Sequence, residues 1–260
     1  YEPSWLIHHF AARSTNNRLQ TLTFLKHVIQ YLGPYQRLHD AGTNHYMTCY
    51  PQNNNIVERL FDHFTRQIND SKKCSIDGFA AMPFKKSGTK KLPEGWMIRE
   101  CTLRDMMVLK EFYEPASGGL LLSALGLDVP SECLKKSFAG AGFLREYRTY
   151  CLCYESRQMA FFVMNQSDIT LNLSELINGI TIIIIEPDIL SWAMLAHAVN
   201  CLGVFYSEET IPLMIYPSHF LPLQNIKIEK QCALWILHAK ASDEWLSCVN
   251  RLISIPSGRR

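Results

Sequence analysis

The chain of 260 residues predicts an α/β protein with a mixed central sheet flanked by helices, arranged as two related lobes. Three observations predict it. First, Ile180-Thr181-Ile182-Ile183-Ile184-Ile185 is β-branched throughout. Branched side chains suit a pleated surface, and without polar alternation the run reads as a strand buried on both faces. Second, amphipathic helical patterns alternate with short strand patterns along the chain. Third, a strand ending in Tyr-Pro occurs twice, at Tyr50-Pro51 and Tyr216-Pro217. Met47 and Met214 lie shortly before the two endings, and a strand and a long helix precede each. That recurrence of order is what an internal repeat leaves behind.

The elements follow in sequence. A strand is expected near Trp5–Ala12, then a helix carrying Leu19, Leu22, Leu25, Val28, Ile29 and Leu32 at helical spacing, ended by Gly33-Pro34. A strand over His45–Tyr50 meets Pro51, and Asn53-Asn54-Asn55 supplies cap candidates for the next helix. That helix places Ile56, Leu60, Phe61, Phe64 and Ile68 along one side. A short strand near Ile76–Met82 closes the first lobe, residues 1–84. The polar stretch 85–95 reads as a linker to the second lobe, residues 96–260.

The second lobe opens with strand Trp96–Cys101. Thr102 and Asp105 form a capping-box-like start to a helix through Phe112, with Asp in place of the usual Glu or Gln. Gly118-Gly119 and Pro130 interrupt, and a helix around Ser131–Ala139 follows. Strands Arg145–Tyr154 and Gln158–Asn165 are joined by Glu155-Ser156-Arg157, a hairpin signal. Next come the isoleucine strand and a long helix with Asp188 as its cap, its inward residues being Ile189, Trp192, Ala193, Ala196, Val199 and Leu202. Strand Ile211–Tyr216, a proline-rich stretch, strand Gln231–His238 and a helix Asp243–Ile253 complete the chain.

Composition narrows the function. Apolar residues are 47% and charged residues 19%, which excludes a disordered chain. The formal net charge is +2, so no polyanion partner is indicated. Lys85-Lys86 and Lys90-Lys91 around Gly88 read as a solvated stretch rather than a nucleic-acid patch. Nine cysteines, an odd number scattered through apolar runs, fit buried thiols of a cytoplasmic protein better than a disulfide framework. Cys151 and Cys153 share a strand face, but no second pair stands at comparable spacing, so no metal is expected. No signal peptide and no apolar run of about 18 residues is visible, so no membrane span is expected. The start at Tyr1 rather than a methionine is compatible with a fragment of a longer protein.

The strand-to-helix junction at Glu186-Pro187-Asp188 bears on cofactors. Phosphate groups sit on open backbone N–H groups at helix N-termini, usually after a glycine turn. Here there are two carboxylates and a proline without an N–H.

The order strand, helix, helix, strand, strand, strand, long helix, strand, opened by Ile98-Arg99-Glu100-Cys101-Thr102-Leu103-Arg104-Asp105, resembles the GNAT acetyltransferase superfamily over about Trp96–Ala239. The first lobe resembles the carboxyl half of an incomplete second copy, as in double-GNAT proteins. The hairpin and Asn172-Leu173-Ser174-Glu175-Leu176-Ile177-Asn178 are similar to GNAT-like modules found beside PilZ domains in bacterial signalling proteins. In the family the pyrophosphate of acetyl-CoA binds an Arg/Gln-x-x-Gly-x-Gly/Ala turn between the fourth strand and third helix. The resemblance places that turn at Glu186–Ser191, which carries none of those residues.

The resemblance therefore implies a GNAT-like scaffold without the cofactor turn: a catalytically degenerate regulatory or ligand-sensing module, with no cofactor, joined to an upstream signalling domain and open to homo-oligomerisation. The alternative it implies is an active N-acyltransferase using acetyl-CoA or another acyl-CoA. Glu186 would then be the general base and Tyr216 the general acid, with Ile185, Pro187, Asp188, Ile189 and Ser191 around the cofactor. A strand-end Glu turned outward and a Tyr packed before Pro are the plainer readings of the same two residues. A third possibility is part of a cyclic-di-GMP-responsive protein with its nucleotide site upstream. Asn172-Leu173-Ser174 is a near miss to the PilZ half-motif, Ile177 standing where that motif has glycine. His8-His9, adjacent on a strand, face opposite sides and make no paired ligand set. Trp192, Trp235 and Trp245 sit at apolar positions suited to core packing.

Overall fold

In a computed structural model the described residues are 4–6, 44–52, 55–88, 91–127, 131–168 and 178–254. The first expected helix, His8-His9 and the Asn172–Ile177 segment lie outside them. In chain order the elements are β1 (Ser4–Leu6), β2 (His45–Pro51), α1 (Asn55–Ile68), β3 (Cys74–Lys85), β4 (Trp96–Glu100), α2 (Leu103–Ser117), α3 (Leu120–Ala124), α4 (Ser131–Gly140), β5 (Arg145–Tyr154), β6 (Arg157–Ser167), β7 (Gly179–Ile184), α5 (Trp192–Leu202), β8 (Thr210–Tyr216), α6 (Phe220–Leu223), β9 (Lys230–His238) and α7 (Ser242–Ser254). The chain is a mixed α/β protein whose element order from β4 to β8 is the expected one, with α3 added.

Two compact units form. One comprises Tyr1–Ile76, Ser117–Asp128 and Leu234–Arg260; the other comprises Asp77–Ala116 and Val129–Ala233. The expected linker at 85–95 lies inside the second unit. It is held there because Lys86 Nζ donates to the carbonyls of Tyr206 at 2.8 Å and Gly203 at 3.4 Å, and Asn200 Oδ1 accepts the Ser87 N–H at 2.9 Å. Those contacts cap the far end of α5 with a cation, where the helix dipole is negative.

The second unit is built on strands in the order β3-β8-β7-β6-β5-β4. β7 and β8 are parallel, while β3–β8, β6–β7, β5–β6 and β4–β5 are antiparallel. Register sets the faces. Tyr150, Phe162, Ile182, Ile215 and Ala80 lie side by side in one row, and all are buried in one cluster with Leu195, Ala198, Val199 and Leu202 of α5. The next row, Cys151, Phe161, Ile183 and Tyr216, points to the opposite side by the strand period of two. There Tyr113 of α2 meets Tyr216 with ring centroids 5.4 Å apart. Every residue of β7 is buried, as the isoleucine run requires.

Local signals are realised where they are strongest. Thr102 N donates to Asp105 Oδ2 at 2.8 Å and Asp105 N to Thr102 Oγ1 at 3.3 Å, closing the reciprocal box. Asp105 also receives the Arg99 guanidinium through both oxygens, at 2.6 and 2.9 Å, and Gln158 Nε2 at 3.1 Å. The helix it starts is thereby pinned to two strands. The β5–β6 loop is two residues long, with Tyr154 paired to Arg157. Glu155 and Ser156 have φ of 45° and 71°, the left-handed pair of a type I′ hairpin.

The first unit pairs β1 with β2 in parallel, and β9 follows β2 in strand order. Its interior is aromatic. Phe61 stacks on Tyr50 at 5.2 Å and on Trp245 at 5.4 Å, and Trp235 lies 4.6 Å from Phe61. Trp235 Nε1 donates to Thr65 Oγ1 at 3.2 Å, which gives the buried indole its hydrogen-bond partner. Leu60, Phe61 and Phe64 of α1 are buried as the helical spacing predicts.

Candidate functional site

The β7–α5 junction and the end of β8 are where the sequence places its candidate residues, and all belong to the second unit. Beyond β7, the N–H groups of Ile185 and Glu186 both donate to the Met159 carbonyl, at 2.9 and 3.3 Å. The chain then turns on Glu186, whose carbonyl accepts the N–H groups of Ile189 at 3.2 Å and Leu190 at 3.0 Å. Pro187 and Asp188 are inside this closed turn. Asp188 and Ile189 are exposed, while Leu190 is 1% exposed and belongs to the core cluster.

The helix cap is Ser191, not Asp188. Ser191 has extended φ and ψ of −86° and 154° and its hydroxyl accepts the Met194 N–H at 3.3 Å. The turn on Glu186 uses three residues that the sequence reading assigned to the helix. α5 therefore begins at Trp192, and its buried face is Leu195, Ala198, Val199 and Leu202. Ile189 and Ala193, expected inward, are exposed.

The first turn of α5 is also closed from outside. Trp192 N donates to Gln224 Oε1 at 3.1 Å, and Leu195 N donates to the Ser191 carbonyl at 3.0 Å. Gln224 directly follows α6, in the segment after β8. The N–H groups of Trp192 and Met194, which a phosphate would need at a helix N-terminus, thus already have acceptors from this chain. With Pro187 lacking an N–H and two carboxylates beside the turn, the residues present do not fit the pyrophosphate of a CoA thioester.

Glu186 is half-buried and ion-paired with Arg157 at the start of β6. Tyr216 is half-buried at the end of β8, in register with Ile183 of β7. Its ring is 5.7 Å from Phe79 and 5.4 Å from Tyr113. Burial, and secondly the charge of Asp77, raise its phenol above the ordinary value. Tyr216 thus ends β8, while Glu186 lies two positions beyond the end of the adjacent parallel strand β7 and three beyond Ile183, the partner of Tyr216. The partner that holds Glu186 is Arg157, not Tyr216. Arg157 and Gln224 are the site residues that sequence reasoning missed. Arg157 is expected as the last residue of the hairpin turn and is instead the first residue of β6; nothing local marks Gln224.

Cys151 Sγ lies 3.5 Å from Cys153 Sγ, and burial raises the Cys151 thiol, the condition of an inert packed thiol. Among the described residues no group of three or more His, Cys, Asp or Glu side chains is disposed to hold a metal ion. No described helix is long and apolar enough to cross a membrane. In the first unit a cleft of about 480 Å³ is lined by α1 and α7, and Lys73 Nζ pairs with Glu244 Oε1 across 3.0 Å there.

No family model and no curated protein matches this chain. Solved structures similar to it include a functionally unknown conserved protein from Staphylococcus epidermidis ATCC 12228, at 9% identity and TM-score 0.42 over 85% of this chain and 81% of that one. A GCN5-related N-acetyltransferase from Kribbella flavida is similar at 7% identity and TM-score 0.39, over 81% of this chain and 75% of that one. A tandem GNAT protein from the clavulanic acid biosynthesis pathway is similar at 9% identity and TM-score 0.38, over 86% and 71%. Likenesses at these TM-scores carry no inference about activity. The mixed α/β fold stands on this chain's own element order and register.

Proposed function

We propose that this chain is a GNAT-like module that keeps the superfamily scaffold without its cofactor turn, and that it acts by binding or assembly rather than by acyl transfer. The observation that carries this reading is the closed helix start: Gln224 and Ser191 hold the Trp192 and Met194 N–H groups where a pyrophosphate would lie. A role in bacterial signalling, with an upstream PilZ-type domain, follows from the sequence resemblance of the hairpin and the Asn172–Asn178 stretch. The repeated Tyr-Pro strand ends support an origin by duplication.

A second reading is favoured by Tyr216. Its raised phenol stays protonated at neutral pH, as a general acid must, and Glu186 at the neighbouring strand end would be the base of an acyltransferase. Thiol release from acetyl-CoA, assayed over a panel of primary amines, separates the two readings. Binding or assembly alone predicts release at the rate without protein. Acceptor-dependent release that falls in Tyr216→Phe and Glu186→Gln would establish the acyltransferase.

A further inference from the structure

Asn165 lies near the end of β6 and is 0% exposed, yet neither its Oδ1 nor its Nδ2 has a hydrogen-bond partner among the described residues. The backbone around it is bonded by side chains. Tyr206 Oη donates to the carbonyls of Asn165 and Gly179, at 3.1 and 2.9 Å. Asn178 bridges the strand end, accepting the Ser167 N–H and donating to the Ser167 carbonyl, each at 2.9 Å. Backbone groups of Asn165 and Ser167 are served by dedicated side chains while the Asn165 side-chain amide is left over. A buried amide without partners carries its full desolvation penalty, and native structures rarely tolerate one without a reason.

The amide is also in polar company. Asn165 is in register with Tyr147 on β5 and Gly179 on β7. Met164 and Ile180 line the apolar cluster on one face, so Asn165 lies on the other. By the strand period of two and the same register, Arg145, Ser167 and Thr181 share that second face, and all three are buried. Gly179, directly opposite Asn165, brings no side chain against it. This group stands at the beginning of β7, at the other end of the strand from Glu186.

We propose that Asn165 anchors a buried ligand site on the β5–β6–β7 face, and that its ligand presents a planar carboxamide-type edge. The amide offers a donor and an acceptor side by side; the group that answers both is another primary amide or an equivalent donor–acceptor edge, such as that of a nucleobase. A carboxylate, with acceptors only, would satisfy Nδ2 and leave Oδ1 without a donor. The site is independent of the closed helix start and of the acyl-transfer question.

The test uses the full chain labelled with ¹⁵N, following the Asn165 side-chain amide and, in parent and variant alike, the backbone amides of position 165 and Gly179, during titration with acetamide, with acetate as the control. The expected result is a saturable shift with acetamide, at least several-fold weaker with acetate and lost in Asn165→Leu. The same variant should melt higher than the parent without ligand, by roughly 2–4 °C. No saturable shift with acetamide overturns the proposal, as does a response that survives in Asn165→Leu. A lower melting point for Asn165→Leu also overturns it, because the amide would then be satisfied within the chain.

Discussion

Gln224 Oε1 accepts the Trp192 N–H at 3.1 Å across 32 positions of sequence. A side chain from the segment after β8 thereby adds to the capping that Ser191 begins, and the Trp192 and Met194 N–H groups at the N-terminal end of α5 are both taken by the protein itself. Helix starts that bind anions leave these groups open.

The two caps should be measurable as stability. Gln224→Leu and Ser191→Ala each remove one acceptor from a helix start, which costs about 1 kcal/mol. Urea unfolding of each variant checks this. Losses below a few tenths of a kcal/mol would mean that water serves these N–H groups equally well.

Asp105 should make part of the stability depend on pH. The Arg99 guanidinium, opposed by desolvation and helped by Thr102 and Gln158, holds its carboxyl well below the usual carboxylate range. A depressed folded-state value means the contribution is complete above about pH 4, the unfolded value, and is lost as pH falls further. Asp105→Asn should cost about 3 kcal/mol at pH 7, since it strands a partly exposed guanidinium and the Thr102 donors. The difference from the parent should shrink below pH 4. A difference constant from pH 7 to pH 2 would contradict this assignment.

The hairpin should accept improvement. Glu155 and Ser156 occupy positive φ, where Asn-Gly is the favoured pair. The double change Glu155→Asn with Ser156→Gly should stabilise the chain by about 0.5–1 kcal/mol. Glu155 keeps its backbone bond to the Gly95 carbonyl, which needs no side chain. A lower melting temperature would show that the loop is not the I′ turn described.

Tyr206 should act as a clamp on β6 and β7. Tyr206→Phe removes one hydroxyl that serves two carbonyls, at a cost of about 1–2 kcal/mol. Amide exchange should accelerate first around Asn165 and Gly179. Uniform acceleration across the second unit would instead indicate a global effect.

Much of this fold was legible in short stretches. The isoleucine run allowed no exposed face, so a central strand followed. Thr102 and Asp105 are three residues apart, the reach of a capping box, and Glu155-Ser156 lies between two strand patterns. Where local signals compete, the reading failed. Asp188 and Ser191 are both good caps, and only the turn on Glu186 decides for Ser191. Lys86 read as solvated because its acceptors, the carbonyls of Gly203 and Tyr206, lie more than a hundred positions away. Gln224 closing the helix and Asn165 standing unpaired among the described residues arise from tertiary placement, to which periodicity is blind.

Isothermal titration of the intact chain with acetyl-CoA tests the central claim most directly. A closed α5 start predicts no saturable heat up to millimolar acetyl-CoA. Micromolar binding that is abolished by Ser191→Phe would contradict it, because the ligand would then occupy the helix end that Gln224 and Ser191 hold.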